Sequence, residues 1–195
     1  MKTNVRAYSD KQLLERIEQF GGVIKNQGTY LLIGVQSQED QYNVFDDKFY
    51  VFDGNVFKMV TSGTTNAGST ALKHFERYNP KGTAVWKTNV YYEGLYQRGF
   101  HRKKMRALRQ VAPIWHYRDR NKDNQADETG ELYHAIIYAN NHGVDYNPFS
   151  KKIGTQINGW SAACQVMNNM TDYRNWINAA WKRNKQVDYC LLKEW

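Results

Sequence analysis

The sequence predicts a mainly β chain of the α+β class, with an N-terminal helix and a second helix near the C-terminus. Three observations predict it. Short apolar runs of β-forming residues bounded by turn signals recur from residue 29 to 192, helical spacing is confined to two stretches, and 14 Tyr, 8 Phe and 6 Trp favour strands. With 195 residues and no linker, repeat or low-complexity tract, a single domain is expected over 1–195.

Ser9-Asp-Lys-Gln12 has the form of a capping box, and Leu13, Leu14, Ile17 and Phe20 follow at helical spacing until Gly21-Gly22. This predicts an amphipathic helix over about 10–20 that packs on the sheet after it. Residues 29–35 read as a strand, and 48–52 and 56–61 as two strands joined at Asp53-Gly54, a tight-hairpin signal. A small-residue loop follows over 62–68, then strands over 83–87, 91–96, 108–117 and 132–139. The segment 140–159 is polar and irregular, a length that in compact domains is usually functional or mobile. Thr171 or Asp172 is placed to cap the second helix, whose stripe is Trp176, Ile177, Ala180 and Trp181. The strand over 187–192 alternates Val187, Tyr189 and Leu191 against Asp188 and Cys190.

A net charge of +8, from 27 Lys and Arg against 19 Asp and Glu, implies attraction to a polyanion: nucleic acid, an anionic membrane surface or a bacterial cell wall. Much of the excess lies in 98–106 and Arg109, read as a solvated face because no nucleic-acid recognition motif accompanies it. Nucleic acid therefore ranks last as a partner. No apolar run reaches the length of a membrane span and no signal-peptide core is present, so a soluble chain made in the cytosol is expected. Cys164 and Cys190 are too far apart in sequence to suggest a zinc site built on cysteines, and two cysteines make no disulfide framework.

The chemistry concentrates in residues 154–167. Cys164 sits among small residues that leave its backbone amides open, with Ser161 and Trp160 close by and Val166 and Met167 anchoring the segment. A thiol nucleophile needs a base and oxyanion donors, which the backbone around Ser161, Ala162 and Ala163 could supply. For the base the sequence offers His142 and His134. His142, followed by Gly143, is preferred over His134, which falls inside a strand; His101 and His116 have weaker claims. The bland alternative is a buried, inert cysteine.

The order strand, His-Gly, irregular loop, Ser-x-x-Cys resembles L,D-transpeptidase (YkuD-like) domains. Trp160-Ser-Ala-Ala-Cys-Gln-Val166 is similar to a Trp-Ser-Ala-Gly-Cys-Gln-Val hallmark of distantly related phage-encoded proteins. Phe45-Asp-Asp-Lys-Phe49, Thr64-Thr-Asn-Ala-Gly68, Asn79-Pro-Lys-Gly-Thr-Ala84, Gly99-Phe-His101, Ala107-Leu-Arg-Gln110 and Tyr117-Arg-Asp-Arg-Asn-Lys-Asp123 resemble segments of that group in the same order. The resemblance implies a YkuD-like β-sandwich or barrel over 29–195, with 1–28 as a helical extension. It also implies a cysteine-dependent peptidoglycan peptidase or transpeptidase for wall penetration or lysis, needing no cofactor. Its partners would be bacterial peptidoglycan and other virion proteins, and its place the virion or the host cytoplasm before lysis. A non-catalytic virion or wall-binding protein is the alternative.

Cys164, His142 or His134, Ser161 and Ala163 would then be catalytic, with Trp160, Tyr138 and Gly159 binding substrate. Two departures bear on this. Tyr138 ends Ala135-Ile-Ile-Tyr138 where the group has Ile-Asn-Ile-His, and Ala163 replaces a glycine, costing about 1 kcal/mol or more if φ there is positive. Asp119, Asn121, Asp123 and Asp127 alternate like the start of a calcium loop, but the glycine and the closing Glu of such a loop are misplaced. A solvated turn is the preferred reading and calcium the alternative.

Overall fold

The computed structural model describes residues 5–195. Helix α1 (Asp10–Gln19) begins at the expected capping box, with the Ser9 hydroxyl accepting from the Gln12 N–H and the Gln12 side chain from the Ser9 N–H. The strands are β1 (Tyr30–Gln36), β2 (Asp47–Asp53), β3 (Val56–Thr64), β4 (Thr83–Trp86), β5 (Val90–His101), β6 (Met105–Gln110), β7 (Ile114–Asp119), β8 (Tyr133–Ala135), β9 (Asn141–His142), β10 (Gln165–Met167) and β11 (Val187–Lys193). A short helix α2 (Ser69–Lys73) and a 3-10 turn (Phe75–Arg77) follow β3, and α3 (Met170–Arg183) precedes β11.

Eight strands close a barrel in the order β1-β11-β5-β6-β9-β10-β3-β2, and β4-β7-β8 form a separate three-stranded sheet. The mainly β expectation thus holds. Closure also removes the exposed strand edges that open sheets must protect. Within the barrel, β1 runs parallel to β11 and β9 parallel to β10; the other pairs are antiparallel.

Two apolar layers hold the barrel. The interior is packed with Phe49, Trp86, Leu95, Tyr96, Leu108, Val166 and Tyr189, and α3 contributes Tyr173, Trp176 and Ile177. Outside it, α1 lays Leu13 and Ile17 on Leu31, Ile33, Phe52, Cys190 and Leu192. The alternation expected along β11 is therefore not one of inside against solvent, because α1 covers the outward face and both faces are buried.

Other expectations change for local reasons. The strand expected over 108–117 is two strands, broken at 111–113 where Pro113 cannot extend the ladder. The strand expected over 132–139 stops at Ala135, and Tyr138 takes a left-handed φ of 61°. The loop expected over 62–68 is partly strand, because β3 runs to Thr64 to pair with β10. The cap of α3 is Asn169, whose side-chain oxygen accepts from the N–H groups of Thr171 and Asp172.

Candidate active site

Cys164 lies just before β10, and β10 runs beside β9, which carries His142. The β5–β6 hairpin brings in His101 at the end of β5. Ligand-type atoms of His101, His142 and Cys164 all lie within 4.8 Å of one another. The two imidazoles stack with centroids 3.9 Å apart. His142, the preferred histidine in the sequence, is thus placed near Cys164. His134 sits instead on β8 of the small sheet, exposed and stacked on Trp115 at 4.2 Å, and does not join this group.

Hydrogen bonds fix the register. The Asn140 carbonyl accepts from the Gln165 N–H at 2.9 Å, its side-chain oxygen accepts from the Gln110 N–H at 3.2 Å, and its amide nitrogen faces His101 Nδ1 at 3.4 Å. The Gln165 side chain donates to the Thr65 carbonyl and accepts from the Tyr189 hydroxyl, while the Asn141 amide donates to the Gln165 carbonyl. Thr65 is held in turn by the buried Asp47 carboxyl, which accepts from the Thr65 N–H and hydroxyl and from the Ser37 N–H. Burial and the neighbouring Asp46 charge nevertheless push Asp47 up to about 8. The Phe45–Phe49 and Thr64–Gly68 motifs therefore meet in one brace behind the cysteine.

His142 is completely buried. Its Nδ1 lies 2.8 Å from the Gly143 carbonyl oxygen, a contact that requires Nδ1–H and leaves the lone pair on Nε2. Nε2 has no hydrogen-bond partner. Burial, then the adjacent His101, lower His142 to about 3, with the Gly143 and Trp160 carbonyls opposing them. Burial likewise lowers His101 to about 4. The Cys164 thiol is pushed up to about 11 by burial, against the pull of the Asn140 N–H and Arg102. At neutral pH the site is an uncharged thiol beside uncharged imidazoles.

Cys164 lines a groove of about 670 Å³ between the barrel and the small sheet, walled by Ala84, Arg118, Ile137, Tyr138, Ala162 and Ala163. Tyr138 is largely exposed and lines the same groove. The Ser161 hydroxyl donates to the Cys164 carbonyl at 2.8 Å, which makes it a strut of the loop. Ala163 has no positive φ, so the expected penalty for alanine does not arise. Its carbonyl accepts from the Trp86 indole at 2.7 Å. The N–H groups of Ala162, Ala163 and Cys164 donate to no acceptor among the described residues.

Trp160 is half-buried, 5.4 Å from the Tyr146 ring and 6.5 Å from His142, and Gly159 is exposed beside it. Gly143 serves packing rather than access, since a Cβ there would lie 2.6 Å from Met170 Sδ and 2.7 Å from Tyr173. No protein-family model, no curated protein and no solved structure matches the chain.

The acidic loop does gather Asp119, Asp123 and Asp127, with ligand atoms within 4.8 Å. Asn121 spans it, its amide donating to both Asp123 and Asp127 at 2.8 Å, where a cation would otherwise balance the charge. His101, Asn140 and Gln165 are the site residues that sequence reasoning missed or undervalued. In the sequence His101 has only a weaker claim as a base, beside its place in the Gly99-Phe-His101 segment.

Proposed function

We propose that the protein is a cysteine-dependent enzyme that acts on peptide bonds of bacterial peptidoglycan, a phage hydrolase or L,D-transpeptidase-like enzyme used in wall penetration or lysis. The observation that carries the reading is Cys164 on the groove wall, grouped with a buried imidazole whose Nε2 has no other partner.

In this reading, as the Cys164 sulfur attacks a carbonyl carbon, its proton passes to His142 Nε2. The Gly143 carbonyl supports the imidazolium through Nδ1–H, and the free N–H groups of 162–164 hold the oxyanion. Collapse expels the amine with the proton from His142. Water then cleaves the thioester in hydrolysis, or a second amine does so in transpeptidation. No cofactor takes part; calcium would serve only the loop of Asp119, Asn121, Asp123 and Asp127. The basic surface suits an anionic wall.

The second reading, a non-catalytic virion or wall-binding protein, draws on the same burial, which leaves the resting thiol protonated. Incubation of sacculi or muropeptides with wild type and Cys164→Ala separates the two. New products from the wild type alone support catalysis, and identical product profiles refute it.

A further inference from the structure

We propose that His101, His142 and Cys164 form a binding site for one divalent cation of the zinc class, and that the bound ion takes Cys164 out of use as a nucleophile. Binding itself does not depend on the catalytic reading; the consequence for activity does.

The three donors come from separate parts of the fold, the end of β5, β9 and the loop before β10, and converge within 4.8 Å. Tetrahedral zinc with nitrogen ligands at about 2.0 Å and sulfur at about 2.3 Å needs its donors roughly 3.3–3.8 Å apart, so the group must close by about 1 Å. His101 can make that adjustment. It is held by stacking and by one long contact to Asn140 at 3.4 Å.

The second observation concerns His142. Its Nδ1–H is engaged by the Gly143 carbonyl at 2.8 Å, and its Nε2 is buried with no partner. A backbone acceptor on one ring nitrogen, which fixes the lone pair on the other, is how metal-binding histidines are oriented. A buried imidazole nitrogen without a partner is costly unless something binds it.

The groove lined by Cys164 gives an ion a way in and leaves a fourth position for water. Two imidazoles and a thiolate select zinc, cobalt or nickel over magnesium or calcium, which prefer oxygen. Binding forms the S–metal bond as the S–H bond breaks, and the proton leaves to solvent. The wide separation of Cys164 and Cys190 hid this site from the sequence, because histidines supply its other ligands.

The test is anaerobic titration of the reduced, untagged full chain with Co2+, followed by absorbance. One equivalent is expected to produce a thiolate-to-cobalt charge-transfer band with tetrahedral d–d bands. Zn2+ should displace the cobalt, and Mg2+ and Ca2+ should not. The band should be absent in Cys164→Ser and weakened at least tenfold in His101→Gln, a near-isosteric change at a buried ring that gives up only the long contact to Asn140, should His142→Gln not fold. Zn2+ should also protect Cys164 from iodoacetamide.

The absence of a thiolate band at millimolar Co2+, or a band unchanged in His101→Gln, overturns the site. Full alkylation of Cys164 in the zinc-loaded protein overturns the block. A chain that binds Co2+ this way yet leaves muropeptides intact would lose only the catalytic reading. One that cleaves them metal-free without forming the band would lose only this proposal.

Discussion

Alkylation of Cys164 as a function of pH tests the electrostatics of the site directly. With the thiol pushed up to about 11 and His142 lowered to about 3, no thiolate–imidazolium pair exists at rest. At pH 7 the thiolate fraction is then about 10⁻⁴, against about 3% for an ordinary cysteine near 8.5. That makes Cys164 about 300-fold poorer in thiolate. The greater intrinsic reactivity of a high-pKa thiolate returns about tenfold, leaving a net deficit of about 30-fold against a free thiol. The rate of iodoacetamide modification, followed by intact mass between pH 6 and 9.5, should rise about tenfold per pH unit without a plateau. Cys190, fully buried and also pushed up by burial, supplies the background, read from Cys164→Ser. A plateau below pH 8 at rates above a free thiol would refute the reasoning, because it would require a pre-formed ion pair.

Three further outcomes follow from the same contacts. His142 is lowered from its ordinary 6.5 to about 3, so the unfolded chain binds a proton the folded chain refuses; stability is lost as pH falls below 6.5, by about 2–3 kcal/mol at pH 4.5. Asp46 and Asp47, pushed up to about 6 and about 8, act in the opposite sense, so the measurement is the difference in urea midpoint between wild type and His142→Gln; parallel pH profiles would count against it. Trp86→Phe leaves the Ala163 carbonyl without its indole donor and should cost about 1–3 kcal/mol in chemical denaturation while raising Cys164 alkylation as the loop loosens. Gly143→Ala forces a Cβ against Met170 and Tyr173 and should cost about 1–3 kcal/mol; an unchanged melting temperature would show that α3 can shift.

The legible parts of the chain were those written in local chemistry. The capping box of α1, the Asp53-Gly54 hairpin and the apolar stripe of α3 carry their own periodicity and turn residues, and each formed where expected. Pro113 was also a visible signal, and reading 108–117 as one strand passed over it. Cys164 and His142 could be named from composition and order. His101 ranks low and Asn140 goes unread in the sequence, because His101 reaches them through the length of the β5–β6 hairpin, and Asn140 matters through the register of β9 against β10. His134 ranks below His142 in the sequence because it falls inside a strand, and pairing with β7 carries that strand to the other sheet. The bond from Ser161 to the Cys164 carbonyl is local, three residues along the chain, whereas the bond from Trp86 to the Ala163 carbonyl is a long-range fact with no sequence signature.

The seat of β11 between β1 and β5 has a consequence for how the chain folds. Leu31 pairs with Asp188 and Leu32 with Tyr189, so the barrel closes through partners at nearly opposite ends of the described chain. Until β11 docks, β1 keeps an open edge and two apolar faces, a template for pairing with other chains. Contacts of such sequence separation make folding slow. The interval before closure is when this protein is most exposed to aggregation, and α1, resting partly on Cys190 and Leu192, cannot complete its own packing sooner.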